Sequence, residues 1–186
     1  TRMGNMAVNR ATWIKAQEYR RKRDSGKLES RDLGMETLAG VLDGDILVNN
    51  PTDLYAYAIY AAGGIVAISD NGDVDISNGG NITVEAGYYT GYDALAAGIY
   101  AEAGYDASVV NTGDIDAYAY ASNGGPARAL GIYAHAGIDG SGISTVQNDG
   151  DITVASYSSQ SSQSIGIAAY SDSGNATVDN TGQIVS

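Results

Sequence analysis

The chain has 186 residues, enough for one domain of ordinary size, and no cysteine, which excludes disulfide scaffolds and cysteine-based metal sites. Its formal net charge is −12, but residues 1–40 carry nine of the ten Lys and Arg residues and only five of the 22 acids. The acidic remainder repels nucleic acid phosphates and anionic lipid, so neither is expected as a partner. We also expect no membrane insertion, because no window approaches the roughly 18 apolar residues that a spanning helix needs.

The first 40 residues differ in composition from the rest. The stretch from Asn9 to Ser30 is rich in helix formers, and Asn9 is a suitable N-cap, so we predict a helix there. The basic run Arg20–Arg23 is more typical of a solvated helix face or tail than of a nucleic-acid patch. We interpret residues 1–40 as a basic, partly helical segment that acts as a cap, spacer or tail. In the cap interpretation, Trp13 and Ile14 cover the first repeat.

Two phrases recur from residue 44 onward. Gly-Asp-Ile or a close variant begins at Gly44, Gly72, Gly113, Gly150 and Gly182, with a related phrase at Gly80. A second phrase of the Ile-Tyr-Ala type places its isoleucine at Ile59, Ile99, Ile132 and Ile167. Fixed phrases at unequal steps indicate similar strands joined by loops of varying length, which is typical of a repeat array.

Within each phrase, apolar and polar residues alternate with a period of two, as in Ile115-Asp116-Ala117. A third short strand precedes the repeat glycine, as in Val109-Val110-Asn111 and, by the same reading, Ile68-Ser69-Asp70. Three short strands per repeat and little helix signal favour an all-β fold. We predict a right-handed parallel β-helix, or β-solenoid, of about four coils over residues 41–186.

Stacked coils predict columns of identical residues. Ile99, Ile132 and Ile167 should form an interior column, because equivalent strands lie about 4.8 Å apart. Asn111, Asn148 and Asn180 stand two residues before a repeat glycine, where Asp70 and Asn78 also fall. Inward asparagines at such a corner can form hydrogen bonds with the coils above and below.

The pattern resembles the passenger regions of bacterial autotransporters of the "beta strand repeat" kind. The matching residues are "VVNTGDI" at Val109, "AAGIYAEA" at Ala96, "VQNDGDI" at Val146, "ALGIYAHA" at Ala129 and "VDNTGQI" at Val178. The resemblance covers roughly residues 44–186. It implies a right-handed β-helix on the bacterial cell surface, in the extracellular space, and a chain that is a fragment of a longer protein.

The sequence shows no group of residues typical of a catalytic site, and we predict no catalytic, cofactor-binding or metal-binding residues. Arg128 is the one basic residue after residue 40, and His135 has no second histidine. General acid–base chemistry needs two carboxylates across a cleft, which a uniform repeat does not single out. Recurring acids such as Asp73 and Asp114 are interpreted as turn-capping or solvated groups rather than as Ca²⁺ ligands.

Outward tyrosines are the remaining candidates for contact with a partner. Tyr60, Tyr100 and Tyr133 are assigned to one repeat position, where they stack on sugar rings, on another chain, or simply on each other. The favoured hypothesis is a non-catalytic, adhesin-like surface module that binds a cell-surface or glycan receptor or associates with itself. The alternative is part of a polysaccharide-acting β-helix protein whose catalytic coils lie outside this chain.

Overall fold

The computed structural model describes the strands Met6–Ala7, Leu33–Met35 and Ala39–Leu42 and residues 44–87, 93–122 and 124–186. The helix predicted between Asn9 and Ser30 lies outside the described residues, as do the capping contacts expected of Trp13 and Ile14.

Every regular element in the described part of the chain is a β-strand. In chain order the strands are β1 Met6–Ala7, β2 Leu33–Met35, β3 Ala39–Leu42, β4 Ile46–Asn50, β5 Leu54–Ala58, β6 Ala61–Ser69, β7 Val74–Asn78, β8 Ile82–Ala86, β9 Ala94–Ala103, β10 Ala107–Asn111, β11 Ile115–Ala121, β12 Ala127–Ala136, β13 Ser144–Asn148, β14 Ile152–Ser158, β15 Ser162–Ser171, β16 Ala176–Asn180 and β17 Ile184–Val185.

The strands form three parallel sheets, and the chain visits the sheets in turn. Sheet 1 has the order β1-β4-β7-β10-β13-β16, sheet 2 the order β5-β8-β11-β14-β17, and sheet 3 the order β2-β6-β9-β12-β15, with β3 also paired to β6. Coil 1 is β4–β6, coil 2 is β7–β9, coil 3 is β10–β12 and coil 4 is β13–β15, and β16 and β17 begin a fifth. This confirms the predicted all-β parallel solenoid of about four coils.

The three N-terminal strands extend two of these sheets. β1 pairs with β4 in sheet 1 through Met6 and Ala7, and β2 and β3 both pair with β6 in sheet 3. The described parts of the first 42 residues therefore lie at the N-terminal edge of the solenoid.

The interior is built from columns of like residues, one from each coil. Ile65, Ile99, Ile132 and Ile167 pair in register in sheet 3, and the first three are fully buried. Fully burying one such side chain stabilises the fold by roughly 1.5–3 kcal/mol.

A glycine precedes each of these stacked isoleucines because sheets 2 and 3 approach closely there. A Cβ added at Gly131 would lie 2.4 Å from the carbonyl oxygen of Gly166 and 2.5 Å from Cγ2 of Ile152. Gly98 has the same relation to Gly131 and to Ile115. The glycine of the Ile-Tyr-Ala phrase is therefore a packing requirement.

The structure corrects the alignment of the first repeat with the later repeats. The shared phrase grouped Ile59 with Ile99, but Ile59 is 43% exposed, and Ile65 pairs with Ile99 instead. The stacked residue follows a glycine that faces sheet 2. Gly64, which precedes Ile65, lies against Ile82, whereas the residue before Ile59 is Ala58. The repeat glycines also divide into two corners, since Gly44 and Gly72 precede strands of sheet 1 whereas Gly113 precedes a strand of sheet 2.

An asparagine ladder runs along the corner between sheets 1 and 2. Its members pair in register and are Asn50, Asn78, Asn111, Asn148 and Asn180. Nδ2 of each of the first four donates to Oδ1 of the next asparagine at 2.6–2.7 Å. Nδ2 of all five donates to the carbonyl oxygen two residues later, also at 2.6–2.7 Å. Asp70 was expected in this ladder but follows β6 in sheet 3, and Asn50 takes the position in coil 1. In all five instances the corner has three residues, whereas the other two corners vary from two to seven.

Candidate functional site

The outer surface of sheet 2 carries the largest group of exposed aromatic side chains in the described residues. We call it the tyrosine face, and it consists of Tyr55, Tyr57, Tyr118, Tyr120 and Tyr157. These side chains are 37–61% exposed. They alternate along the strands with buried small residues such as Ala56 and Ala119, whose burial directs the tyrosines outward.

Two carboxylates lie among these tyrosines. Glu85 on β8 pairs in register with Tyr57 on one side and Tyr118 on the other, and Asp116 lies two residues before Tyr118. Partial burial raises the pKa of Tyr118, and the negative charges of Asp116 and Glu85 raise it further. The face combines phenol groups, which can donate hydrogen bonds, with carboxylates, which accept them.

A second, more compact group lies on the outer surface of sheet 3. We call it the aromatic cluster, and it consists of Tyr100, Tyr133, His135 and Tyr170. Tyr100 and Tyr133 are stacked, with ring centroids 4.8 Å apart and planes 12° from parallel. Tyr170 lies 5.6 Å from Tyr133 at a tilted angle, and His135 meets both rings edge-on at 6.3 and 6.4 Å.

Acidic side chains border this cluster on two sides. The hydroxyl of Tyr100 donates to Oε1 of Glu102 at 2.5 Å, and Nε2 of His135 lies 3.0 Å from Oδ1 of Asp172. Burial raises the pKa of Tyr133, and the charge of Glu102 contributes in the same direction. The phenol group of Tyr133 therefore stays protonated well above neutral pH.

The structure brings together two of the three tyrosines assigned to one repeat position. Tyr100 and Tyr133 pair in register, and Ala168 continues the row in the next coil. The assignment of Tyr60 was wrong, because Val66 is the residue that pairs with Tyr100. Tyr60 lies between β5 and β6, where its carbonyl oxygen accepts the amide of Leu95 at 2.8 Å. The error has the same origin as that for Ile59.

Sequence reasoning missed the tyrosine face and the partners of the aromatic cluster. The signal for the tyrosine face was present in the alternation of "LYAYA" at Leu54 and "IDAYAYA" at Ile115, since a narrow interior admits alanine and not tyrosine. Asp172 gives no comparable signal, because its contact with His135 joins residues 37 apart in sequence, on successive coils.

The recurring aspartates cap backbone amides of the next coil. Oδ1 of Asp73 accepts the amide of Asp106 at 3.0 Å, and Oδ1 of Asp114 accepts the amide of Asp151 at 2.9 Å. The same relation joins other members of two corner columns. This geometry agrees with a turn-capping role. No group of three or more His, Asp or Glu side chains in the described residues is placed to hold a metal ion.

No family model, curated protein or solved structure matches this chain. Within the described part of the chain there is also no helix long and apolar enough to cross a membrane. The tyrosine face and the aromatic cluster are therefore the surfaces from which a function can be inferred.

Proposed function

We propose that this chain is a non-catalytic recognition module of the adhesin kind, displayed on the bacterial cell surface as part of an autotransporter-type passenger. The observation that carries the proposal is the tyrosine face, where five exposed tyrosines share one side of one sheet. The autotransporter part of the proposal rests on the resemblance of the repeat phrases.

Exposed aromatic rings in this number favour an interaction surface. Contiguous aromatic area on a soluble protein marks binding sites more often than chance, and tyrosine is enriched at interfaces. Tyrosine also supplies a large contact area at low entropic cost, because it has only two side-chain torsions to fix. The parallel sheet holds Tyr57, Tyr118 and Tyr120 at fixed spacings, so the face is preorganised for binding.

The chemistry of the face favours a glycan as the receptor group. The C–H faces of sugar rings stack on aromatic rings, and sugar hydroxyls can donate to Glu85 and Asp116 while accepting from the phenols. A phosphate-rich partner is disfavoured, because residues 41–186 contain one base and 17 acids. Neutral oligosaccharides are therefore the expected ligands.

The test is binding of the full chain to an array of immobilised neutral oligosaccharides. A variant with Tyr57→Ser, Tyr118→Ser and Tyr120→Ser should lose at least about tenfold in affinity for any glycan that binds, since central aromatic anchors contribute roughly 2 kcal/mol or more each. Tyr105→Ser is the matched control, because Tyr105 is 49% exposed but lies off the face.

Equal loss in the control and the triple variant, or no glycan bound by the wild type, would contradict the assignment. Unchanged circular dichroism of both variants would establish that the fold is intact and that the comparison is valid.

A further inference from the structure

We propose that Tyr100 and Tyr133 form an oxidative cross-linking site, at which a one-electron oxidant joins the two rings into dityrosine. The new bond would connect β9 to β12 and so fasten coil 2 to coil 3. This inference is independent of the glycan-binding proposal, since it concerns sheet 3 and needs no receptor.

Backbone register places the two rings together. Tyr100 and Tyr133 are directly paired residues on neighbouring parallel strands, so their side chains leave the sheet about 4.8 Å apart and on the same side. Their rings stack at 4.8 Å with planes nearly parallel, and both side chains are half-buried. Rotation about side-chain torsions can bring ring carbons into bonding distance without moving the strands, and the partial burial favours coupling within one molecule.

The carboxylate of Glu102 favours oxidation of Tyr100, because it is placed to accept the phenolic proton. A phenol that loses an electron becomes a strong acid and must release its proton to a base. The carboxylate of Glu102 already accepts the hydrogen bond from the Tyr100 hydroxyl at 2.5 Å, so the proton can move as the electron leaves. The rings of Tyr133–Tyr170 and of Tyr120–Tyr157 are farther apart, at 5.6 and 6.3 Å, and are tilted.

The chemistry balances with a peroxidase and hydrogen peroxide as the oxidant. Tyr100 gives one electron to the oxidant and its phenolic proton to Glu102, and Tyr133 gives one electron to the oxidant and its proton to water. The two phenoxyl radicals then form one carbon–carbon bond between ring positions adjacent to the hydroxyls. Each ring transfers the hydrogen from its linked carbon to its own oxygen, which restores both phenols. The two electrons and two protons released overall reduce one peroxide to two waters.

The test treats the full-length chain with a haem peroxidase and hydrogen peroxide at high dilution. We expect dityrosine fluorescence in the monomer fraction and a mass loss of two hydrogen atoms. Peptide mapping by mass spectrometry should assign the principal link to Tyr100 and Tyr133, a result that needs no variant. The cross-linked chain should also melt at a higher temperature, because the link restricts the unfolded chain as a disulfide does.

Three variants test the assignment of roles. Tyr133→Phe should abolish the principal link, and Glu102→Gln should slow its formation several-fold. Glu85→Gln is the matched control, because it makes the same change on sheet 2, and it should leave the rate unaltered. A principal link at another tyrosine pair or between molecules would overturn the site, and equal rates in Glu102→Gln and wild type would overturn the role of Glu102.

Discussion

Asn111 shows how much one side chain can contribute when its position is repeated in every coil. Its amide donates to Asn148 and to the carbonyl oxygen of Gly113, and it accepts from Asn78, all within 2.6–2.7 Å and away from solvent. Removing it leaves a buried donor on one neighbour and a buried acceptor on the other.

We therefore predict that Asn111→Ala lowers the free energy of unfolding by on the order of 1–3 kcal/mol, the usual cost of unsatisfied buried polar groups. Asn180→Ala is the matched control, because the same ladder ends there at an exposed residue, and its cost should be clearly smaller. Urea denaturation of both variants measures the difference. Similar losses at the two positions would contradict the importance of burial.

Asp75 is a residue at which charge opposes folding. Its pKa is raised above the ordinary 3.8 by partial burial first and then by Asp73, with Asp45 and Asp106 adding to the effect and a hydrogen bond from Ser108 opposing it. A raised pKa means that the folded state binds the proton more tightly than the unfolded state does, so the stability contribution falls as pH rises through that pKa.

Asp75→Asn should accordingly stabilise the chain at neutral pH, and the advantage over the wild type should vanish below pH 3.8, where both states of the wild type are protonated at this residue. Chemical denaturation of wild type and variant at both pH values checks the sign. Lower stability of the variant at neutral pH would mean that the bond with Ser108 outweighs the repulsion.

At the scale of elements, the strands of sheet 3 depend on the glycine in their middle. Gly131 leaves no room for a Cβ, since the nearest atoms would be a backbone carbonyl oxygen and an isoleucine methyl, both within 2.5 Å. Gly131→Ala must separate sheet 3 from sheet 2 or distort β12.

We predict a loss of about 1–3 kcal/mol for Gly131→Ala, the usual cost of overpacking a core. Gly79→Ala should cost much less, because its nearest neighbour would be 3.8 Å away. Thermal denaturation followed by circular dichroism compares the two. A larger loss of stability for Gly79→Ala than for Gly131→Ala would contradict the close approach of sheets 2 and 3.

These elements also show what the sequence could and could not predict. Alternation in short runs predicted strands, and the equal spacing of Asn111 and Asn148 from a repeat glycine predicted their column. Phrase similarity failed in coil 1, where Ile59 sits in a familiar phrase but lacks a glycine facing sheet 2. Tyr60 and Asp70 were misplaced for related reasons. Stacking depends on three-dimensional register, which a local phrase does not encode when connections differ in length.

At the scale of the whole molecule, the C-terminal face of the solenoid exposes strand edges and the last residues of two interior columns. Among the described strands, β15, β16 and β17 each have a neighbour on one side only. The apolar side chains of Val178 and Ile184 are 47% and 45% exposed, although their counterparts in the preceding coil are fully buried. Open edges of this kind favour pairing with another chain.

The 186-residue chain should therefore self-associate as its concentration rises. Val178→Lys should reduce the association, because a charge in an interior column cannot be covered by a further coil. Ile138→Lys is the matched control, since Ile138 is 41% exposed at a corner away from this edge. Sedimentation velocity over a range of concentrations measures the mass, and a wild type that stays monomeric throughout would contradict the prediction.

The constant three-residue corner beside the asparagine ladder has a consequence for how such a chain tolerates insertions and deletions. Each ladder asparagine bonds a carbonyl oxygen two residues ahead, so one residue added between Asn111 and Gly113 would separate that pair and misalign the strand that follows. The corner between β12 and β13 already has seven residues, where the corner between β9 and β10 has three. Foreign peptides grafted near residues 138–141 should be displayed without disturbing the interior. Changes in length are thus confined to two of the three corners, and the third, of constant length, keeps the residues of every column in register.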